Sequence, residues 1–348
     1  MVETPSPSGY EQPVQRIVRK YISPFASDVR SDIHGNVIAS AGDPSGPRLM
    51  YAGHCDQIGM LVTNIDEEGF VYAQTIGGWD PQQLIGQAMT IWTDGGPIPA
   101  VISRKPIHLL NETERKQVVQ LEQMWLDVGA KNKADASELI RIGDCVTLAL
   151  RYQSLLNGIV TGPGMDNKTG TWTVIQALRL AYEMTRALGD SIPCHLHSVS
   201  TVQEEIGLRG AKTAAGSINP DVAIAVDVTH ASDCPTIDKH QQGDIKLGGG
   251  PVIYRGPNMN PGVVDRLIDI AKREGIAFQL AATGRATPND ANVLQIHGGG
   301  VATGLVAIPN RYMHSAVEAI SLADIEAAAR LLAHFAVELT PKCDFVPA

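Results

Sequence analysis

Aromatic residues are scarce in this chain: Phe, Trp and Tyr together make up 5% of its 348 residues. Surfaces that stack nucleic-acid bases need such rings, so this composition is a poor one for that task. Basic residues are also in deficit, with 28 Lys and Arg against 37 Asp and Glu and a formal net charge of −9. A chain of that charge without a long basic run is unsuited to binding phosphate backbones or anionic lipids. We therefore expect neither nucleic acid nor a membrane among its partners.

Long apolar runs are missing as well. No stretch approaches the ~20 consecutive apolar residues of a membrane span, and the opening segment MVETPSPSGYEQPVQR has no basic region followed by an apolar one. The cysteines form no CxxC pair and no disulfide framework, which indicates reduced thiols. They are Cys55, Cys145, Cys194, Cys234 and Cys343. These absences predict a cytoplasmic protein.

Several common catalytic motifs are absent too. The sequence has no G-x-S-x-G around any serine, no P-loop, no G-x-G-x-x-G and no H-E-x-x-H. Serine esterase chemistry, nucleotide binding and thermolysin-like zinc chemistry therefore lose their usual sequence support. A cysteine nucleophile has no recognisable activating partner.

Strand-like and helix-like segments alternate through most of the chain. At ~150 residues per domain the length indicates about two domains, and 44% hydrophobic residues fit a globular protein. Val14, Ile17, Val18 and Tyr21 have the spacing of one buried helix face. Short buried strands between amphipathic helices predict a three-layer α/β/α domain with a mixed, mostly parallel sheet. Its last helix would follow Ser321, a suitable N-cap.

The middle of the chain has a different pattern. Five short β-like segments, MLVTNI, GFVYAQTI, QAMTIW, PAVISR and DCVTLAL, are separated by Gly-containing turns. One segment between them, ETERKQVVQLEQMW, has the composition of a helix. We therefore predict a small, barrel-like β domain over residues 62–153. It would be inserted into the α/β domain, which comprises residues 1–61 and 154–348.

Histidine and acidic residues follow several of the predicted strands and turns. Each has an ordinary explanation by itself, since a lone His, a surface Glu pair and a helix-capping Asp are common. Together they would meet beyond the carboxyl ends of the strands, where open α/β sheets bind ligands. Imidazole and carboxylate groups in one place predict a metal site. The residues are His54, Asp56, Asp166, Glu204, Glu205, Asp227 and His314.

Seven strings in this sequence resemble those of the tetrahedral (TET-type) di-metal aminopeptidases. That family includes glutamyl and deblocking aminopeptidases, and some members carry the name endoglucanase. The strings occur in family order and span nearly the whole chain. They are SPSGYE (Ser6–Glu11), AGHCDQIG (Ala52–Gly59), GPGMDNKTG (Gly162–Gly170), QEEIGLRGA (Gln203–Ala211), VDVTHA (Val226–Ala231), LGGGPVI (Leu247–Ile253) and PNRYMHSAVE (Pro309–Glu318).

The resemblance implies a metal-dependent aminopeptidase that removes N-terminal residues from peptides. It implies two divalent ions per subunit, zinc or cobalt in the first place and manganese as a third option, with a water bridging them. Asp166 would bridge the ions, with His54 and Asp227 completing one site and Glu205 and His314 the other. Glu204 would be the general base, and Asp56 would orient His54 through its second ring nitrogen.

The resemblance also implies a homo-oligomer, commonly a hollow dodecamer. This chain departs from the family pattern at Gln57, where an acidic residue is usual, and at Pro288–Asn289–Asp290–Ala291, where Gly-Thr-Asp-Ala is expected. Neither departure removes an implied metal ligand, but both bear on substrate preference. Two alternatives stay open: a related di-metal amidohydrolase that deacylates small N-acyl substrates, and a non-catalytic assembly protein of the same fold.

Overall fold

Short runs rich in Val, Ile, Leu and Ala form most of the strands. The computed structural model describes residues 1–347. In chain order the strands are β1 (Asp28–Ser31), β2 (Val37–Gly42), β3 (Arg48–His54), β4 (Gly59–Ile65), β5 (Val71–Ile76), β6 (Ala88–Thr93), β7 (Gly96–Arg104), β8 (Met124–Asp127), β9 (Cys145–Leu148), β10 (Gln153–Ser154), β11 (Ile159–Thr161), β12 (His195–Thr201), β13 (Val222–His230), β14 (Val252–Arg255), β15 (Gln279–Ala282), β16 (Ala302–Asn310) and β17 (Ala319–Ser321).

The helices lie mainly in the second half of the chain. They are α1 (Gln12–Ile22), α2 (Glu112–Lys116), α3 (Lys133–Leu139), α4 (Met165–Ala187), α5 (Arg209–Ile218), α6 (Lys239–Gln242), α7 (Pro261–Arg273), α8 (Asp290–Gln295) and α9 (Leu322–Glu338). None of the helices in the part of the chain that the structure describes combines the length with the apolar character that crossing a lipid bilayer requires.

The main sheet has eight strands in the order β1-β2-β12-β3-β13-β16-β14-β15. Its four central strands, from β12 to β16, are parallel, while β1, β2 and β14 introduce antiparallel pairs. Helices α1, α4, α7 and α9 pack in one layer, and α5 and α8 pack in another. The predicted α/β/α fold class is confirmed. The carboxyl ends of the four parallel strands meet at one edge, which is where that class of sheet binds ligands.

A closed barrel interrupts the α/β fold between β3 and β10. Its strands follow the order β4-β5-β8-β7-β6-β9, and they enclose a separate apolar core that includes Val62, Met89, Ile91 and Val146. The prediction of a small inserted β domain is therefore confirmed. Its boundaries at residues 62 and 153 stay a prediction, and the first barrel strand begins earlier, at Gly59.

The helix predicted over ETERKQVVQLEQMW is wrong beyond its first turns. Helix α2 ends at Lys116, and β8 begins at Met124. Met124 and Leu126 are buried in the barrel core while Asp127 is exposed, and β8 pairs with β5 and β7. Strand β8 is stabilised by barrel partners that are distant in sequence, so local helix propensity did not determine the structure of this segment.

The first helix is present but is rotated relative to the prediction. Val14 and Val18 are buried as expected, whereas Ile17 is 38% exposed. Gln15 is buried in its place, because its side-chain amide donates hydrogen bonds to the carbonyl oxygens of Gly35 and Ser200. At the last helix, Ser321 occupies the predicted N-cap position, but its side chain makes no capping hydrogen bond.

Candidate metal centre

All seven predicted site residues lie together at the carboxyl edge of the central strands. His54 is the last residue of β3, Glu204 and Glu205 follow β12, and His314 follows β16. Asp166 lies in the first turn of α4, at the amino end of that helix. Asp227 does not follow a strand but lies within β13, which continues to His230 through its pairing with β16.

The first group forms around His54. Its Nε2 atom lies 3.2 Å from Asp166 Oδ1 and 3.6 Å from Asp227 Oδ1. The same nitrogen lies 3.7 Å from Glu204 Oε2. All four side chains are at least nine-tenths buried. His54, Asp166 and Asp227 therefore offer three ligand atoms that could hold one metal ion.

The second group forms around His314. Its Nε2 atom lies 3.3 Å from Asp166 Oδ2 and 3.4 Å from Glu205 Oε2. Asp166, Glu205 and His314 could hold an ion in the same way. Each group uses a different oxygen of Asp166, so this carboxylate is positioned between the two. A shared carboxylate is what two neighbouring cations require.

The two ligand groups together form a cluster of five residues: His54, Asp166, Glu205, Asp227 and His314. The closeness of its carboxylates shifts the pKa values of its members. Burial alone lowers the pKa of His54, but Glu204, Asp166 and Asp227 outweigh it and raise that pKa well above its ordinary value. Burial, followed by the neighbouring carboxylates, raises the pKa of Glu205 well above its usual range. Burial also raises the pKa of Asp166, yet the imidazoles of His314 and His54 hold it below its ordinary value. So much buried negative charge needs cations as counter-ions.

The donor set fits divalent metal ions. Asp166 Oδ1 and Glu205 Oε1 are buried and accept no hydrogen bond, although buried oxygens in proteins nearly always have a partner. The available donors are imidazole nitrogens and carboxylate oxygens with no thiolate. That mixture suits zinc, cobalt or manganese and does not select a soft metal.

Asp56 connects the first group to the Glu204–Glu205 segment. Its Oδ1 atom accepts a hydrogen bond from the backbone N–H of Glu204, and its Oδ2 atom accepts one from Glu205, both at 3.1 Å. Ser8 Oγ donates a further bond to Oδ2 at 2.7 Å. The ring of His54 donates through Nδ1 to the carbonyl oxygen of Asp56 at 3.1 Å, and the Asp56 carboxylate is slightly farther at 3.4 Å.

Glu318 holds the second group and was missed from the sequence. Its two carboxylate oxygens accept hydrogen bonds from the backbone N–H groups of Asp166 and His314, each at 2.9 Å. Burial and the nearby Asp166 raise the pKa of Glu318 to about 8. Its position in the string PNRYMHSAVE, four residues after His314, was the available signal.

The barrel also contacts the cluster. His314 donates through Nδ1 to the carbonyl oxygen of Gly78 at 2.8 Å, which leaves Nε2 free to face the carboxylates. A Cβ atom added at Gly77 would lie 3.2 Å from Glu205 Oε2, and Gly77 has a φ of +76°. The loop after β5 therefore approaches the site closely because it carries two glycines there.

A cavity of about 630 Å³ opens beside the cluster. The residues of both groups and Glu204 form one end of it, and strands β13 and β14 and the loop 283–289 form other walls. The Pro288–Asn289 departure lies in this lining. Gln57 lies outside it and accepts a hydrogen bond from the buried Lys168. A substrate can therefore reach the predicted ligands and Glu204 from one side.

A third group with suitable spacing lies far from this edge, between α7 and α9. It consists of Glu274, His334 and Glu338. Arg273 donates hydrogen bonds to both of these carboxylates, so a guanidinium already balances their charge. We therefore assign no metal site there.

Comparisons of the sequence and of the fold with known proteins both find aminopeptidases. The model of the M42 glutamyl aminopeptidase family matches residues 35–331. The chain is 36% identical to a lysyl aminopeptidase of Pyrococcus furiosus, over 100% of this chain and 97% of that protein. A TET aminopeptidase from Thaumarchaeota archaeon SCGC AB-539-E09 superimposes with a TM-score of 0.92 at 33% identity, over 98% of this chain and 95% of that one.

A second solved structure is equally informative. It is the TET1 peptidase of Pyrococcus horikoshii, described as assembling into a tetrahedron or a large octahedral shell. Its TM-score is 0.85 at 31% identity, over 97% of each chain. The resemblance predicted from the seven strings is confirmed by these matches. The chain belongs to the M42 glutamyl aminopeptidase family and is a hydrolase that acts on peptides.

Proposed function

We propose that this chain is a metal-dependent aminopeptidase that uses two divalent cations and Glu204 as a general base. The observation that carries the proposal is the position of Asp166 between two ligand groups, with Glu204 3.7 Å from His54. When bound, the two cations would supply Lewis-acid activation of water and of the scissile carbonyl group. Zinc or cobalt is our first expectation, with manganese as the third option.

Glu204 is suited to move the proton. Its carboxylate lines the cavity beside the cluster and belongs to neither ligand group. Burial raises its pKa well above the ordinary value, which favours a carboxyl that accepts a proton and then delivers it to the leaving amine. Asp56 keeps the backbone of Glu204 in place, and His54 and Asp227 shape the charge around it.

The experiment compares the native protein with Glu204→Gln. Both proteins are loaded with zinc or cobalt, and metal content is measured beside hydrolysis of aminoacyl para-nitroanilides. We expect unchanged metal content and a rate lower by about 10²–10⁴-fold, the usual contribution of a general base. Equal turnover in the two proteins would remove Glu204 from the mechanism. Removal of metal with a chelator should abolish activity, and zinc or cobalt should restore it.

Substrates with a free and an acylated amino group separate the aminopeptidase from the deacylase alternative. We expect cleavage of the free-amine substrates. Cleavage of only the acylated ones would favour a deacylase that uses the same residues. The assignment of a peptide hydrolase already weighs against a non-catalytic assembly protein.

We further propose that the chain forms a homo-oligomer, with a dodecamer as the expected form. Support comes from its structural relatives, one of which is described as a dodecamer and another as a tetrahedron or a large octahedral shell. Light scattering should give a mass many times the 37.2 kDa of one chain. A mass near one chain would contradict this. The cytoplasmic location stays a prediction from the sequence.

A further inference from the structure

Outside the two ligand groups and Glu204, the cavity lining combines several apolar side chains with the polar residues Thr229, His230, Thr283, Thr287 and Asn289. The apolar side chains are contributed by three different strands or the loops that follow them, together with the turn before α5. Leu305 is almost fully buried, and Tyr254 has its hydroxyl occupied by a 2.6 Å hydrogen bond with Thr229. These apolar residues, called the cavity wall below, are Leu208, Val228, Tyr254, Leu305 and Met313.

Outside the ligand groups and Glu204, the lining carries no Asp, Glu, Lys or Arg, and His230 is its one titratable side chain among residues 1–347 besides Tyr254. The carboxylates in the lining are those of Asp166, Glu205 and Asp227, which belong to the two ligand groups, and that of the proposed base Glu204. Two arginines of nearby segments are already engaged, since Arg311 binds Asp233 and Arg255 binds Asp265. Arg285 is exposed on the loop between Thr283 and Thr287, both of which line the cavity, but it does not line the cavity itself.

The position of the cluster determines what enters this space. The bond to be cleaved must lie beside Glu204, so the side chain of the N-terminal residue extends into the adjoining cavity. A Glu or Lys side chain there would lose its hydration without gaining an opposite charge, which is costly. A Leu or Met side chain would bury apolar surface against Leu305 and Tyr254, which is favourable.

We infer that the cavity selects peptides whose N-terminal residue has a neutral, apolar side chain, and that it discriminates against Glu and Lys. This inference rests on the proposed aminopeptidase function. It separates the chain from the glutamyl preference in the name of its family and from the lysyl preference in the name of the Pyrococcus furiosus protein. Membership of the family leaves this preference open, and we assign it to the cavity wall.

The first test measures kcat/KM of the metal-loaded protein for Leu, Met, Glu and Lys para-nitroanilides near neutral pH. We expect Leu and Met to exceed Glu and Lys by about 100-fold, because the charged side chains are buried without a partner. Preference for Glu or Lys would overturn the inference while leaving the aminopeptidase function intact. Failure to cleave any of the four would contradict the proposed function itself.

The second test places a charge in the cavity. Thr283 is partly buried in the lining, and we compare Thr283→Lys with the neutral Thr283→Gln of similar length. The lysine should raise the Glu-to-Leu ratio of kcat/KM by at least about tenfold relative to the glutamine. Equal ratios in two folded, metal-loaded variants would overturn the assignment of this cavity. Arg285→Ala is the control. If the native protein prefers Glu and Arg285→Ala abolishes that preference, the exposed arginine and not the cavity wall determines selectivity.

Discussion

Asp56 Oδ1 lies 3.1 Å from the backbone nitrogen of Glu204, so the carboxylate next to His54 also positions the proposed general base. Its other oxygen accepts from Glu205 and Ser8. Asp56 therefore joins three segments of the chain: the N-terminal segment, the end of β3 and the loop after β12. The position of the proposed general base depends on the carboxylate of Asp56, whereas the ring of the proposed ligand His54 donates to the backbone carbonyl oxygen of the same residue.

Asp56→Asn should disturb that arrangement. One oxygen becomes an NH₂ group and faces a backbone N–H, so a hydrogen bond is lost and two donors oppose each other. We expect metal affinity to fall by roughly 10–100-fold and the free energy of unfolding to fall by about 1–3 kcal/mol. Titration calorimetry and urea unfolding measure the two quantities. Asp238→Asn is the control, because exposed Asp238 only caps α6. A comparable loss of metal affinity in that variant would contradict the positioning role of Asp56.

Glu318→Gln should weaken the second ligand group. Both Glu318 oxygens accept backbone hydrogen bonds, one from Asp166 and one from His314, and an amide can satisfy only one of them. We expect the weaker of the two metal-binding steps to lose affinity by about tenfold or more, measured by metal titration of the metal-free protein. The exposed Glu326→Gln on α9 provides the control. Unchanged binding of both ions by a folded Glu318→Gln protein would refute the positioning role.

Gly77→Ala should show that the barrel supports the metal site. The new Cβ would lie 2.6 Å from Ile58 Cγ2 and 3.2 Å from Glu205 Oε2, so the loop carrying Gly78 must move away from His314. We expect weaker metal binding and slower hydrolysis. Gly86→Ala is a matched control, since its φ is +79° but its Cβ would meet nothing within 4 Å. Both variants carry the left-handed backbone penalty of about 1–2 kcal/mol, and only Gly77→Ala should affect metal binding.

The fold could be predicted where local patterns and tertiary packing agree. The apolar segments RLMYAG and VAIAVDV and the mixed segment CHLHSVSTVQ have strand-like sequences and contain most of β3, β13 and β12. The segment ending in Met124–Asp127 was misassigned because its strand forms only against β5 and β7, partners that local propensity does not reveal. Gln15 replaced Ile17 on the buried face of α1 because the hydrogen bonds of a buried amide are invisible to hydrophobic periodicity.

The ligand candidates could be predicted because strand ends in a parallel sheet converge at one edge. The residues that hold them could not be predicted as easily. Glu318 acts through backbone N–H groups, and Gly78 acts through its carbonyl oxygen. Such contacts depend on distance and orientation between distant segments, and neither residue type is characteristic of a metal site.

His197 should make the stability of the fold sensitive to acid. It is buried in β12 with Nδ1 2.8 Å from Ser40 Oγ, and burial, followed by His195, Arg30 and Arg48, lowers its pKa to about 3. An unfolded chain binds a proton at this residue below pH about 6.5, whereas the folded chain stays neutral there down to pH about 3. Its contribution to stability is therefore present above that upper pH and is lost progressively as the pH falls between the two values.

His197→Gln removes this proton uptake, so the variant should lose less stability on acidification than the native protein. On going from neutral pH to pH about 5, the free energy of unfolding of the native protein should fall by about 2 kcal/mol more than that of the variant, since each pKa unit is worth about 1.4 kcal/mol. Urea unfolding between pH about 7.5 and 5 measures the slope for both proteins. His240→Gln serves as the control because His240 is exposed on α6. If His197→Gln and the native protein show the same slope, burial of a neutral His197 does not contribute to the acid sensitivity.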